Sequence, residues 1–328
     1  MLPLVPFQDR LVPLPFYSVD AGSANRTLTT EDTESHRELS APICASWHNV
    51  AMGTEPPHTP DFLYGTAWKE ERTAGLTELA IRTGFRGIDT ANQRRHYFEA
   101  GVGEGLAAVY RDGVVTRGQL FLQTKYTYQR GQDHRLPYDV SAGLAVQVAQ
   151  SLASSLEHLA TDHVDSFVLH GPSSGYDWAD ADAEVWEAMR NERDAGRTRL
   201  LGVSNVSLRH LEQMEAAHAE LPAFVQNRCF ADLGWDREVR SFCKDRNIIY
   251  QGFSLLTANL EVLQHPALIS FAQRLNVTPA QVVFSFARAA GILPLTGTSD
   301  RDHMVQDLAS ASVKLPPEVI LAIESMAE

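Results

Sequence analysis

Arg86-Gly-Ile-Asp-Thr-Ala-Asn-Gln-Arg-Arg-His-Tyr-Phe-Glu-Ala-Gly-Val-Gly103 decides how the chain is read. A short apolar run ends in Asp89, and a polar turn carrying His96 and Tyr97 follows it. Two later runs end in the same manner: Leu120-Phe-Leu-Gln-Thr closes on Lys125, and Asp165-Ser-Phe-Val-Leu closes on His170. Three successive strand-like segments therefore each deliver an ionisable side chain at the carboxyl tip, which is how a parallel barrel assembles a site.

Working outward from that stretch, strand-like and helix-like segments alternate from residue 62 onward with short connections, the pattern of a parallel sheet covered by helices. Eight rounds are legible, with strands expected at 62–67, 86–90, 120–125, 165–170, 200–204, 224–227, 248–254 and 292–296. The amphipathic segment 139–159 places Leu144, Val148, Leu152, Leu156 and Leu159 on one helical face. Gly84 and Gly196 fall where helices should stop, and Thr278-Pro279-Ala280-Gln281 combines a capping box with proline at the first helical position. A last amphipathic segment covers 318–326. Eight such units within 61–328 predict an α/β fold of the (β/α)8 TIM-barrel type; a doubly wound sheet, the rival, has no need of eight evenly spaced units. Residues 1–60 lack a sustained period, are rich in Pro, Ser, Thr and acidic residues, and end in Pro56-Pro57-His-Thr-Pro60. They read as an irregular extension, with Ile43 and Trp47 as its candidates for docking on the barrel.

A net charge of −13 argues against a nucleic-acid partner or an anionic membrane surface, either of which favours a basic face. No window approaches the ~18 consecutive apolar residues of a membrane span. The start, Met1-Leu-Pro-Leu-Val-Pro-Phe7, has neither the basic region nor the apolar core of a secretory signal. Cys44, Cys229 and Cys243 are too few and scattered for a disulfide framework or a zinc spacing, so they read as thiols in a reducing compartment, Cys229 and Cys243 within the core. A cytoplasmic protein without a metal site is expected, its oligomeric state left open.

Gly101-Val-Gly103-Glu-Gly105 superficially suggests a dinucleotide fingerprint. The third glycine comes one place early and a polar loop, not a strand, precedes it, so these glycines read as sites of close helix packing.

Asp89, Tyr97, Lys125 and His170 form the constellation with chemical content. Alone, each has an ordinary structural reading: helix cap, packing aromatic, solvated strand end, core histidine. Together they suit proton delivery to a carbonyl oxygen. Tyrosine, with a reference pKa of about 10, is a reluctant acid unless an ammonium favours its phenolate. Lys125 is expected to supply that charge, Asp89 to pair with Lys125, and His170 to hydrogen-bond the substrate oxygen. None of these groups suits covalent attack, so the reducing equivalent must come from a cofactor. A barrel hydrolase would need paired carboxylates at the strand tips, and Asp89 has no acidic partner there.

The chain resembles the aldo-keto reductase superfamily. Gly65-Thr66 with Trp68-Lys69, Gly87-Ile-Asp89-Thr-Ala91, Val102-Gly103, Thr124-Lys125, Leu169-His170-Gly-Pro172, Gly202-Val-Ser204-Asn205 and Gln226-Asn227 occur in the family's order, from about residue 62 to the C-terminus. The resemblance implies a barrel that binds an extended nicotinamide cofactor without a Rossmann domain and reduces a small-molecule aldehyde or ketone. By motif position it implies Asp89, Tyr97, Lys125 and His170 as the catalytic tetrad. Gly65, Thr66 and Asp89 would border the cofactor, Ser204, Asn205 and Gln226 would bond the nicotinamide carboxamide, and Phe253 would stack on its ring. Ser254 and Leu255 would follow the pyrophosphate; Thr298, Ser299, His303, Gln306 and Asp307 would hold the adenosine end, where a helix N-terminus suits an anion.

Two departures from the family pattern bear on these roles. Tyr97 stands eight residues after Asp89, where the family places its tyrosine five after, so His96 is the alternative at the acid position. At the adenosine end, Ser299 and His303 stand where members selective for the 2′-phosphate carry Lys or Arg, with Arg301 as a possible substitute. NADPH is the expected cofactor, with NADH still open. Trp68, Tyr97, His170, Tyr176 and Trp178 are the expected substrate walls, and the short stretch after the last barrel helix implies an open pocket for bulky substrates. The phrasing of Tyr64-Gly-Thr-Ala-Trp-Lys69 and Pro294-Leu-Thr-Gly-Thr298 is similar to that of fungal secondary-metabolite reductases, which implies a biosynthetic role. The reading from another functional class is a non-catalytic NADP(H)-binding barrel that acts as a regulatory subunit.

Overall fold

Alternation along each strand run sends one set of side chains to the helices and the other to a common axis. In the computed structural model, which describes residues 59–217 and 220–326, eight parallel strands close in chain order into a barrel. They are β1 (Leu63–Gly65), β2 (Gly87–Asp89), β3 (Phe121–Tyr126), β4 (Val164–Leu169), β5 (Thr198–Ser204), β6 (Phe224–Arg228), β7 (Ile249–Phe253) and β8 (Ile292–Thr296). The expectations for residues 1–58, including Ile43, Cys44 and Trp47, lie outside the described residues.

The outer layer consists of α1 (Thr73–Thr83), α2 (Glu99–Arg111), α3 (Leu144–Leu159), α4 (Asp180–Asp194), α5 (Leu208–Ala217) and α6 (Arg237–Asp245). It continues through α7 (Leu260–Gln264), α8 (Pro266–Leu275), α9 (Pro279–Ala289), α10 (Arg301–Ala309) and α11 (Pro317–Glu324). Among the described residues no helix is long and apolar enough to cross a membrane. Gly84, at φ 128°, ends α1 as its position predicts, and Thr278 caps α9 through its hydroxyl with Gln281 reciprocating.

The helix expected over 139–159 begins only at Leu144. Asp139 turns the chain instead, its carboxylate accepting hydrogen bonds from the backbone and hydroxyl of Ser141. An aspartate bonded two residues ahead forms a turn that competes with helix.

Inside the barrel the inward positions form three tiers. At the bottom Leu63, Phe121, Phe224 and Leu293 make an apolar plug, with the Phe121 and Phe224 rings edge-to-face at 5.6 Å. Above it lies a polar tier of Asp89, Gln123, Gln226 and Gln251, all buried. The strand registers pair Asp89 with Gln123 and Gln226 with Gln251. Reciprocal amide bonds of 2.9 and 3.0 Å then join Gln123 to Gln251 across the barrel. One further inward step on β3, β6 and β7 brings Lys125, Arg228 and Phe253 to the mouth.

Gly101, Gly103 and Gly105 lie on α2 and serve close packing. A Cβ on Gly105 would stand 2.6 Å from the Ala74 carbonyl oxygen of α1, and one on Gly103 only 1.8 Å from the His158 carbonyl oxygen of α3. Backbone cannot yield as a flexible side chain does. Gly103→Ala should therefore lower the urea-unfolding free energy by about 3 kcal/mol or more, as overpacking does at its upper end. Gly118→Ala, where nothing lies within 4 Å, is the control and should be neutral or better. Equal midpoints for the two variants would contradict this account of α2.

Candidate active site

β2, β3 and β4 each end with the expected group at the mouth. The Lys125 ammonium lies 2.6 and 2.7 Å from the two Asp89 carboxylate oxygens and 2.9 Å from the Thr90 carbonyl oxygen. Asp89 Oδ1 also accepts from Gln123 Nε2 at 2.7 Å and from Gln226 Nε2 at 3.1 Å. The Tyr97 ring faces this pair, with Lys125 Nζ 5.3 Å from its centroid, and meets the His170 ring edge-on at 5.9 Å. His96 stacks on Trp68, centroids 4.1 Å apart. The longer β2–α2 loop thus brings Tyr97 to the buried ion pair and leaves His96 at the rim.

The electrostatics depart from expectation in one respect. Lys125 does not pull the phenol of Tyr97 down; burial, with the Asp89 carboxylate adding to it, pushes that pKa up. Both Asp89 oxygens and the Thr90 carbonyl already engage the ammonium, so its field is largely cancelled. Burial also pushes Lys125 down, against the pull of Asp89. His170 is depressed to about 3 by burial, then by the Lys125 and His96 charges. It is a neutral imidazole near neutral pH, with Nδ1 2.7 Å from the Thr127 hydroxyl.

Across the mouth, Ser204 is buried at the tip of β5, and Asn205, at φ 56°, donates to the His170 carbonyl oxygen at 2.7 Å and to the Ser204 hydroxyl at 3.1 Å. Gln226 directs both its amide hydrogens into the polar tier, toward Asp89 and Gln251. Only its carbonyl oxygen is left for a ligand. Phe253 is half-buried, with the Arg228 guanidinium 5.6 Å from its ring centroid. Ser254 follows at φ 58°, and Leu255 buries its side chain in the core.

Gly65 has no room for a side chain, since a Cβ would stand 2.6 Å from Leu295. Thr66 holds the tip of β2 through two 3.0 Å bonds to the Asp89 carbonyl oxygen.

At the far end Thr298, Ser299 and His303 lie before and on the first turn of α10, with Ser299 and His303 exposed. Asp300 caps that helix through the His303 backbone N–H at 3.0 Å, so a carboxylate of the chain itself already occupies the terminus expected to receive an anion. Asp307 turns inward, accepts from the Thr296 hydroxyl at 2.8 Å, and is pushed up to about 6 by burial. Gln306 borders an open groove of about 440 Å³ between α8, α9 and α10, lined also by Gln273, Asn276 and Gln281.

Sequence reasoning passed over Lys69 as a site residue. Its ammonium is buried beside the Gly297 carbonyl oxygen, without a carboxylate partner among the described residues, and burial with the Arg72 charge lowers it to about 8. A buried cation between the tips of β1 and β8 with no counter-ion fits a phosphate-bearing group. The half-buried Phe253 and the Ser204–Asn205 pair fit an aromatic amide. The residues present therefore match a nicotinamide nucleotide.

Of the expected substrate walls, Trp68 is 67% exposed at the rim and held at φ 61°, and Tyr176 is 71% exposed. Trp178 is half-buried. It packs against the core with its ring 6.5 Å from that of Trp186, and its indole N–H is buried.

The polar tier is open to a double-mutant cycle. Gln123→Met strips Asp89 of a donor and leaves the Gln251 amide unpaired, at a cost of about 1–3 kcal/mol. Gln251→Met should cost a similar amount. The double variant should be less destabilised than the sum by about 1 kcal/mol or more in urea unfolding, because the reciprocal bonds are lost once. Simple additivity would show that the bridge contributes nothing.

Comparison with known proteins places the fold and the family. The family model for the aldo/keto reductase family matches residues 52–328. An uncharacterised oxidoreductase of Schizosaccharomyces pombe is 27% identical over 255 residues, covering 77% of this chain and 83% of the relative. Aldo-keto reductase family 1 member C15 of Rattus norvegicus is 27% identical, covering 78% and 83%. The structure of a Bombyx mori aldo-keto reductase in complex with NADP superposes with a TM-score of 0.69 at 22% identity, covering 81% of this chain and 88% of that one. A Brucella melitensis aldo/keto reductase structure gives 0.69 at 23% identity, covering 82% and 95%. With the family model spanning most of its length, the chain belongs to the aldo/keto reductase family of NAD(P)H-dependent oxidoreductases.

Proposed function

We propose that this member of the family reduces an aldehyde or ketone to the alcohol with NADPH, Tyr97 delivering the proton. The observation that carries the reading is the meeting of the Tyr97 ring, the Lys125–Asp89 pair and a neutral His170 at one side of the barrel mouth. When bound, the reduced nicotinamide supplies the hydride to the carbonyl carbon. Ser204, Asn205 and the remaining carbonyl oxygen of Gln226 would hold its carboxamide, Phe253 would cover its ring, and Lys69 would face the phosphates.

The chain's own groups handle the proton and the oxygen. Tyr97, kept as a phenol by burial, has a proton to give to an oxygen that gains negative charge. His170, neutral, orients that oxygen by a hydrogen bond rather than by charge. Lys125 and Asp89 form a fixed ion pair beside the phenol, and a negative oxygen in the bound substrate would be what draws the Tyr97 proton across. The assignment of a biosynthetic role rests on the fungal-type motif phrasing, and a cytoplasmic location on the scattered thiols, of which Cys229 and Cys243 are free and buried.

Incubation with NADPH and a panel of aldehydes and ketones, followed at the nicotinamide absorbance band, tests the reading directly. A chain that binds NADPH but turns over no carbonyl would be a nucleotide-binding barrel instead. Tyr97→Phe should retain NADPH binding while turnover falls ~10²-fold or more, the scale of a lost general acid. Wild-type turnover in that variant would move the role to another group, with His96→Gln the next variant to measure. Because the folded pKa of His170 is depressed to about 3, its charge does not change as pH falls through ordinary imidazole values. The rate of reduction should then show no limb with a midpoint near the reference histidine value of ~6.5.

A further inference from the structure

The β3–α3 loop is organised around Thr127, a residue to which neither motif nor comparison gives a role. Its carbonyl oxygen accepts from the Tyr138 hydroxyl at 2.7 Å and from Gln132 Nε2 at 3.4 Å. Gln132 also donates to the Asn92 carbonyl oxygen at 2.8 Å, which ties this loop to the one carrying Tyr97. The γ-methyl is fixed as well. A Cβ on Gly131 would stand 2.7 Å from Thr127 Cγ2, so the methyl occupies the space that glycine leaves, and Gln93 holds Gly131 by a 2.8 Å bond to its carbonyl oxygen. With carbonyl and methyl both held, the hydroxyl has one place to go. It is 2.7 Å from His170 Nδ1 and has no other partner among the described residues.

A neutral imidazole carries one proton on either Nδ1 or Nε2, and the bond made by one nitrogen fixes the state of the other. Were the proton on Nδ1, the Thr127 hydroxyl would accept it and its own hydrogen would lack an acceptor in a buried position. With the hydroxyl donating to Nδ1, the buried hydroxyl is satisfied and the proton resides on Nε2, at the far edge of the ring.

We propose that Thr127 is a positioning residue that locks His170 as the Nε2–H tautomer, making it a hydrogen-bond donor to the substrate carbonyl oxygen. The catalytic half of this statement rests on the carbonyl-reduction reading above; the tautomer itself does not. An acceptor nitrogen in that position would repel the oxygen as it gains charge, so the tautomer selects electron-rich oxygen in the slot beside Tyr97. The loop of Gln132 and Tyr138 serves as a brace for that selection.

The test is long-range ¹H–¹⁵N correlation spectroscopy on the full chain labelled at histidine, without cofactor or substrate, with the His170 signals assigned by their loss in His170→Asn. Wild type should show His170 Nδ1 as an unprotonated, hydrogen-bonded nitrogen and Nε2 as protonated. Thr127→Val, which keeps the shape and removes the hydroxyl, should shift His170 toward the Nδ1–H form or a mixture, and Thr127→Ser should restore the wild-type pattern. If the valine variant does not fold, Gly131→Ala, which presses on the Thr127 methyl, should give a partial shift in the same direction. In steady-state reduction of 4-nitrobenzaldehyde with NADPH, Thr127→Val should lower kcat about tenfold with KM for NADPH unchanged, and Thr127→Ser should recover most of it. A wild-type His170 protonated on Nδ1, or the same tautomer in every folded variant, overturns the proposal. Absence of turnover in wild type would sink the reductase reading and leave the spectroscopic result standing.

Discussion

A charged pair sealed inside a barrel governs most of what this fold must satisfy. Lys125 and Asp89 have side-chain exposures of 1% and 3%. Removing such ions from water costs several kcal/mol each, and mutual attraction offsets this only when remaining donors and acceptors are also paired. Here the pairing extends well beyond the two ions. Two carboxylate oxygens and the Thr90 carbonyl surround the ammonium, and two glutamine amides complete Asp89 Oδ1. Those glutamines are themselves closed by Gln251, across the barrel from Gln123 and on the strand next to Gln226. The polar tier is a continuation of the ion pair, and the apolar plug beneath it keeps water from the lower end.

That closure also divides the chemical roles. An ammonium saturated by its partners is a poor instrument for lowering the pKa of a neighbouring phenol before reaction. Any stabilisation it gives the phenolate is at once a lowering of the phenol's pKa, and here burial and the Asp89 carboxylate outweigh it. Tyr97 stays protonated and His170 stays neutral in the resting site, for the same reason: both are packed where charge is penalised. The site therefore holds a single mobile proton of consequence.

How much of this the sequence disclosed follows from where each signal originates. The barrel was legible because eight short apolar runs alternating with helical segments are a local property. Asp89, Lys125 and His170 were legible because an ionisable residue ending such a run is conspicuous, and Tyr97 because its loop carries few other candidates. Gln123 and Gln251 were not, since a glutamine within a strand looks like any solvated residue until closure sets it opposite another. Thr127 was missed for a related reason: its partner lies 43 residues away and its packing depends on a glycine in the next turn. The start of α3 was placed too early because amphipathic spacing continued through residues that Asp139 had already turned.

The adenosine end shows how local rules can compete at one position. A helix N-terminus attracts an anion whether that anion belongs to a ligand or to the chain, and at α10 the chain provides its own in Asp300. A 2′-phosphate approaching there meets the exposed His303 and Arg301 but also the Asp300 carboxylate, already bonded to the N–H groups it would seek. The buried Lys69 lies between the tips of β1 and β8 beside Gly297, and its ammonium has no carboxylate partner among the described residues. A burial-weakened cation gains more from a phosphate than an exposed one, because less water is displaced on pairing. Binding strength at this end should therefore come chiefly from Lys69 and the phosphates nearest to it.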